Sequence, residues 1–255
     1  MLTAVEIDDF VEQGFVALRS AFPRDLAERI RRTAAVQLDV ELADPASWDR
    51  PVIRGLVTGE AVAEAAGSSR LMEAVGQLID PDAWYPRPDL GAFVVRFPTD
   101  VDPGDTGWHI DSSYRPDGDE RWFVNYRSRS RGLLMLCLLS DVGQDDAPTR
   151  LLPGSHLEMP KRLAPAGEAG LPGAHAGQSS RIPLPDTDGD VAVATGEAGD
   201  VYLCHPFLVH AAGWPHPVEK PRFISQPPIS LAGSVNLDGR SEQLSPVARA
   251  IRRGL

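Results

Sequence analysis

Apolar positions in the first eighty residues recur at helical spacing. Thr3 and Glu6 stand as a capping box, and Val5, Phe10 and Val11 can share one face of a helix that Gly14 ends. Phe15 to Arg19 reads as extended. Pro23 fits the first turn of a second helix reaching about Leu38, with Leu26, Ile30 and Ala34 as its apolar stripe. Ser68 or Ser69 can cap another helix. Its inward positions are Leu71, Met72, Val75, Leu78 and Ile79, and Pro81 stops it.

From about residue 90 the period shortens. Apolar stretches alternate with turn residues at Ala92–Phe97, Gly107–Asp111, Gly132–Ser140, Thr149–Leu152, Val191–Thr195, Asp200–His205, Phe207–Ala211 and Arg222–Ser230. Short strands at this spacing predict a barrel or a double-sheet jelly roll. The stretch Glu158 to Asp190, rich in Pro, Gly and Ala, reads as a long surface excursion. Ser245–Leu255 reads as a short basic final helix. The expected fold class is mainly β (α+β). A core over about 91–230 carries a helical addition over about 1–90 on its outer face. No composition shift marks a linker, so residues 1–255 are expected to form a single domain.

Composition supports this frame. Hydrophobic residues are 42% and charged residues 24% of 255, enough apolar content to exclude global disorder. The 23 glycines and 23 prolines exceed average usage, roughly 12% combined, and favour a loop-rich β protein. The net charge of −11 argues against a nucleic-acid partner. Lys161 and Lys220 are the only lysines, so nearly every cation is an arginine, suited to carboxylates and phosphates. Cys137 and Cys204 sit in apolar runs and read as buried thiols. The longest apolar run, Leu133 to Leu139, is too short for a bilayer, and no secretion signal opens the chain. A cytoplasmic setting without membrane is expected.

The chemistry concentrates in Gly107-Trp-His-Ile-Asp111. On a strand, His109 and Asp111 point to one face and offer nitrogen and oxygen toward one point. A second histidine far along the chain would complete a 2-His-1-carboxylate site for Fe(II), with open positions for substrate and oxygen. His205 and His210 are the candidates. Arg222 opens an apolar strand twelve residues beyond His210. Returning antiparallel, it could bring its guanidinium near the metal, where a dicarboxylate cosubstrate would pair with it. Each piece alone has a plain structural explanation: H-x-D is common, and a buried His or Arg can simply be satisfied in a core. Their conjunction carries the reading.

These motifs resemble those of the phytanoyl-CoA dioxygenase family of Fe(II)/2-oxoglutarate oxygenases. The resemblance runs through Phe10–Arg19, Trp108–Asp111, Thr149-Arg-Leu-Leu-Pro-Gly-Ser-His156, Gly199-Asp-Val-Tyr202 with His210 and Arg222, and Ser245–Arg252. It implies a double-stranded β-helix, cupin-like core. It implies iron on His109, Asp111 and His210, with His210 preferred to His205. It also implies 2-oxoglutarate gripped by Arg222, O2 as oxidant, and a structural role for His156. Many members carry Ser or Thr two residues after the last His. Here that position is Ala212, so Arg96 and Thr149 become candidates for part of the cosubstrate grip. Halogenating relatives lack the carboxylate, so Asp111 favours hydroxylation or a related oxidation.

The implied activity is oxidation of an unactivated C–H bond in a small molecule, such as a secondary metabolite, amino acid or acyl thioester. The cluster Arg115, Arg121, Arg127, Arg129 and Arg131 suggests an anionic substrate, with Arg127 and Arg129 as contacts; a solvated loop is the plain alternative. Trp108 is expected in the core, and Trp214 can border the pocket. Two other readings compete: a cupin-like metal enzyme without 2-oxoglutarate, and a non-catalytic binding β-barrel. Monomer and homodimer both stay open.

Overall fold

The structure is a computed structural model that describes residues 1–174 and 180–255. Residues 175–179, within the expected excursion, lie outside the described residues. The chain begins with helix α1 (Ala4–Gln13), strand β1 (Phe15–Leu18) and helix α2 (Arg24–Gln37). Strand β2 (Val52–Leu56) and helices α3 (Glu60–Ala66) and α4 (Ser69–Leu78) follow. The β region comprises β3 (Ala92–Arg96), β4 (Phe123–Val124), β5 (Arg131–Leu138) and β6 (Arg150–Leu151). Helix α5 (Ser155–Leu163) precedes β7 (Leu171–Pro172), β8 (Ala192–Val193) and β9 (Val201–Cys204). Strands β10 (His210–Ala211), β11 (Arg222–Gln226) and β12 (Pro228–Ser230) lead to helix α6 (Pro246–Arg253).

All strand pairing is antiparallel. The major sheet runs β1-β9-β5-β11-β3-β2, and β12 continues beside β5. A smaller sheet has the order β10-β6-β8, and β4 pairs with β7. Strand β5 explains why the central run is apolar throughout. Leu133, Met135 and Cys137 join the cluster that includes the helices, while Leu134, Leu136 and Leu138 join a second cluster with Leu151, Ala194 and Leu208. Both faces are covered, so alternation disappears. Each buried Leu or Phe here is worth roughly 1.5–3 kcal/mol over exposure.

The same parity positions the polar inner face. Phe93, Val95 and Phe223 belong to the helix-side cluster, whereas Val94 and Ile224 belong to the other. Arg96 and Arg222 share the parity of Val94 and Ile224, and they are directly opposite in the β3–β11 register.

Helix α1 has its capping box: Thr3 Oγ1 accepts from Glu6 N, and the Glu6 carboxylate accepts from Thr3 N at 2.8 Å. Its C-cap Gly14 has φ +87°, and a Cβ there would lie 2.5 Å from His156 Nδ1. Both facts require glycine. Val5 does not share the buried face; it is exposed, and Leu2, Ile7, Phe10 and Val11 make the inner contact. Ser68 stands at the N-cap of α4, but its hydroxyl donates to Ala21 O instead of capping.

Three expectations change. The N-terminal region is not only a helical addition: β1 pairs with β9 and β2 with β3, so it supplies both edges of the major sheet. Asp200 locks the first edge by accepting from Ser20 N at 2.8 Å and Arg19 Nη1 at 2.7 Å. Gly107–Asp111 is not a continuous strand; a single bridge, His109 to His210, replaces it. The excursion is not all surface. Its first turns belong to α5, whose Met159 and Leu163 are buried, and α5 packs against α6.

His156 and His205 are buried together, ring centroids 4.8 Å apart. Desolvation pushes His156 from the ordinary 6.5 to about 4, and the Val11 carbonyl offsets only part of that. Desolvation, with His156 beside it, holds His205 well below the usual range. The unfolded chain therefore binds protons that the fold refuses. Stability is complete above pH 6.5 and falls as pH drops toward 4, by about 3 kcal/mol for His156 alone. Thermal unfolding followed from pH 7.5 to 4 should show this slope, and His156→Gln should reduce it while leaving the share of His205.

Candidate functional site

His109 and His210 exchange two backbone hydrogen bonds, 3.0 and 2.9 Å long. Residues directly opposite in an antiparallel pair send their side chains to the same face. The imidazole centroids are 4.4 Å apart. Each Nδ1 lies 2.9 Å from the carbonyl two residues earlier, Gly107 O for His109 and Leu208 O for His210. A carbonyl only accepts, so Nδ1 carries the proton on each ring and Nε2 keeps its lone pair. Burial pushes the His210 pKa down, which keeps that ring neutral.

Asp111 joins them, its Oδ1 3.8 Å from His109 Nε2. One atom from each of His109, Asp111 and His210 lies within 4.8 Å of the others. Desolvation pushes the Asp111 carboxyl up, but Arg131, His210 and His109 outweigh it and bring it to about 2. The carboxylate is therefore ionised at neutral pH. Two imidazoles, each with Nδ1 turned back to a carbonyl, and one carboxylate on one face are a donor set that fits Fe(II).

Two cavities meet at this point. The inner one, about 190 Å³, is lined by His109, Asp111, His210, Thr149, Arg96 and Arg222, among others. Arg222 is buried and donates from Nη1 to Ala147 O. Desolvation, then Arg96, push its pKa down to about 9, so it remains cationic at neutral pH. Arg96 is also buried; its Nη2 donates to both oxygens of Asp105 at 3.0 and 2.8 Å. Arg222 Nε and Arg96 Nε and Nη1 are buried without an acceptor among the described residues. Such donors cost free energy until an acceptor arrives. An anion with several oxygens, such as 2-oxoglutarate, fits that deficit. Ala212 borders the same cavity without offering a hydroxyl.

The outer cavity, about 460 Å³, is lined by His109, Ile110, Asp111, Ser112, Trp122, Arg131, Gly173, Ala174 and Ser180. Arg127 and Arg129 do not line it. Arg127 lies 3.6 Å from Glu168, and Arg129 covers the Tyr114 ring at 4.9 Å. Trp214 borders a separate surface pocket with Ala147 and Pro148. Trp108 is partly buried, with the Arg150 guanidinium 4.7 Å from its ring centre. His205 is packed away from the triad, accepting from Phe207 N, and His156 faces Val11 O.

Sequence reasoning missed Trp122 and Asp105 as parts of the site, and it counted Arg131 only as a member of the arginine cluster, not as the partner of Asp111. The signal for Arg131 was its place at the start of a strand and not its parity, which it shares with Leu133, Met135 and Cys137 of the helix-side cluster; the register shifts between Leu133 and Arg131. Arg131 begins β5, whereas Arg127 and Arg129 sit in the turn before it.

The sequence matches the family model described as phytanoyl-CoA dioxygenase over residues 10–214. No curated protein matches it significantly. Solved structures share the fold at low identity. EvdO2 from Micromonospora carbonacea var. aurantiaca, complexed with 2-oxoglutarate, has TM-score 0.61 and 18% identity, covering 94% of this chain and 95% of its own. HygX from Streptomyces hygroscopicus, with nickel, 2-oxoglutarate and hygromycin B bound, has TM-score 0.58 and 17% identity, covering 91% and 88%. EctD from S. alaskensis, with 2-oxoglutarate and 5-hydroxyectoine, has TM-score 0.57 and 18% identity, covering 92% and 77%.

The two histidine candidates can be separated directly. Anaerobic Ni(II) titration followed by calorimetry should show one site in the wild type and in His205→Gln. His210→Gln should weaken it at least tenfold. Equal loss in both variants would leave the His210 assignment without support.

Proposed function

The chain belongs to the phytanoyl-CoA dioxygenase family and is an Fe(II)- and 2-oxoglutarate-dependent oxygenase; from that premise we propose that His109, Asp111 and His210 hold the iron. Arg222 takes the far carboxylate of 2-oxoglutarate in the inner cavity, with Arg96 and Thr149 beside it. The outer cavity takes a small-molecule substrate. The observation that carries this reading is the pair of free Nε2 atoms and the ionised Asp111 at the junction of the two cavities. We read the two facing sheets as a double-stranded β-helix, or jelly roll, and residues 1–255 as one domain.

When bound, the iron supplies the oxidation: O2 and 2-oxoglutarate are consumed, one oxygen atom enters the substrate C–H bond, and succinate and CO2 leave. The residues of this chain do the rest. The backbone bridge fixes the distance between His109 and His210, and the Gly107 and Leu208 carbonyls hold both rings in one tautomer. Arg222 gives its buried cation to a carboxylate, so cosubstrate binding supplies a hydrogen-bonded anion to a guanidinium that otherwise donates to the Ala147 carbonyl and feels Asp105 and Asp146 from farther off. Arg96 is half satisfied by Asp105, which leaves it free to add donors without adding a full charge. The major sheet, apolar on its helix side and rigid in register, keeps both arginines from retreating into solvent. Substrate enters from the outer side. There Trp122, half exposed, offers an aromatic surface, and Ser112 and Ser180 offer hydroxyls.

The arginine cluster no longer argues for an anionic substrate through Arg127 and Arg129. It contributes one cation to this cavity, Arg131, and Asp111 already pairs with it. A polar, ring-bearing small molecule fits the lining better than a multiply charged one. Among the described residues no helix is long and apolar enough to cross a membrane. The two free buried thiols accord with a reducing, cytoplasmic setting.

A substrate panel read by succinate formation coupled to O2 uptake tests the reaction. Succinate without metal, or turnover without 2-oxoglutarate, would refute it. Arg222→Ala should raise the 2-oxoglutarate KM by about 100-fold, the loss of a charge-assisted bidentate contact worth about 3 kcal/mol. Arg129→Ala should leave that KM within twofold.

A further inference from the structure

The carboxylate of Asp111 has two differently engaged oxygens. Oδ1 faces His109 Nε2 at 3.8 Å. Oδ2 accepts from Arg131 Nη1 at 2.5 Å. The same guanidinium donates from Nη2 to Ser112 O at 2.9 Å, so its fork spans the side chain of Asp111 and the backbone of the next residue. Arg131 is itself largely buried at the start of β5, the central strand of the major sheet. The backbone behind the guanidinium is thus anchored in the sheet, whereas the Asp111 segment is held among the described residues by isolated bridges, His109 to His210 before it and Tyr114 to Phe123 after it.

We propose that Arg131 is a positioning residue that occupies one oxygen of Asp111 and so presents the other alone to the metal. This rests on the reading of His109, Asp111 and His210 as the metal site. A free carboxylate can turn about its Cβ–Cγ bond and offer both oxygens to a cation. With Oδ2 committed to a sheet-anchored guanidinium, that rotation costs a short charge-assisted hydrogen bond. The carboxylate then fills one coordination position, which leaves room for cosubstrate and oxygen beside the two imidazoles. The grip on Ser112 O fixes the backbone as well, compensating for the missing strand. No other cation contacts Asp111 among the described residues: Arg127 and Arg129 are held by Glu168 and by the Tyr114 ring.

The test is anaerobic Co(II) titration of the full-length protein, read by calorimetry and by the d–d absorption bands, which report coordination geometry independently of turnover. The variants are Asp111→Ala, Arg131→Gln and Arg131→Lys, with circular dichroism to check folding. The expected result is a 10–100-fold loss of Co(II) affinity in Arg131→Gln with altered bands, and partial recovery in Arg131→Lys. Affinity within twofold of wild type and unchanged bands in Arg131→Gln, while Asp111→Ala loses the metal, would overturn the role of Arg131 alone. Equal Co(II) binding by wild type and Asp111→Ala would instead overturn the metal-site reading beneath it. If Arg131→Gln does not fold, Asp111→Gly decides. Arg131 should then hold added formate where the carboxylate stood and restore the Co(II) bands. No restoration would overturn the proposal.

Discussion

Two backbone hydrogen bonds between His109 and His210 hold together a site whose parts come from opposite ends of the β region. The segment carrying His109 has no ladder on either side of that bridge, and β10 is only two residues long. The pair nevertheless fixes more than a distance. Because the residues exchange both bonds, their side chains must emerge on one face. Because each imidazole turns back to a carbonyl of its own segment, the nitrogen facing the cavity is unprotonated. Spacing and direction follow from one local pairing, which in turn depends on β6 lying alongside β10 and β8 alongside β6.

The charges around the bridge are arranged in two steps. On the outer side Arg131 neutralises Asp111 and holds it ionised. On the inner side Arg222 and Arg96 face each other across β11 and β3, and only Arg96 has a carboxylate, Asp105. A buried cation with unmet donors destabilises a fold. The fold tolerates Arg222 because the sheet that carries it is long, doubly covered and closed at its edges by β1 and β2. The N-terminal segment thus has a mechanical part in the site. Its strand β2 pairs along the whole of β3, the strand from which Arg96 projects.

Much of this was legible in the sequence, for reasons that can be named. Strand parity predicts His109 and Asp111 on one face, and the structure brings them together although only a bridge at His109 stands where the strand was expected. Arg222 opens a strand whose apolar run announces a covered sheet. Helices α2, α4 and α6 follow from their stripes. Three things were not legible. Strand β2 was not read, and β1, read as extended over Phe15 to Arg19, carried no sign of its partner; pairing to distant strands, not local propensity, joins both to the sheet. The excursion after Pro153 hid helix α5, because Pro160 and its flanking alanines and glycines dominate the composition while Met159 and Leu163 provide the burial. The arginine cluster looked uniform. Only the start of β5 separates Arg131, which is directed at Asp111, from Arg127 and Arg129, which are turned away.

That last distinction has a general physical basis. In a loop, charge density along the sequence says little about where charge is delivered, since each guanidinium can reach a different partner. Within a strand the backbone direction is set by the ladder, so alternate residues have no choice of face; at the start of β5 the register shift beside Arg131 breaks that alternation. Arg131 is the residue of its cluster where the chain passes from the first regime to the second. Arg96 and Arg222 lie wholly in the second. All three arginines placed at the site are strand residues of the major sheet. Arginines of the intervening loop are satisfied locally, by Glu168, Asp119 and the Tyr114 ring. A cation that must meet a charge in a fixed place gains from being carried by a strand; Arg54 on β2, which lines the inner cavity and pairs with Asp105, follows the same rule.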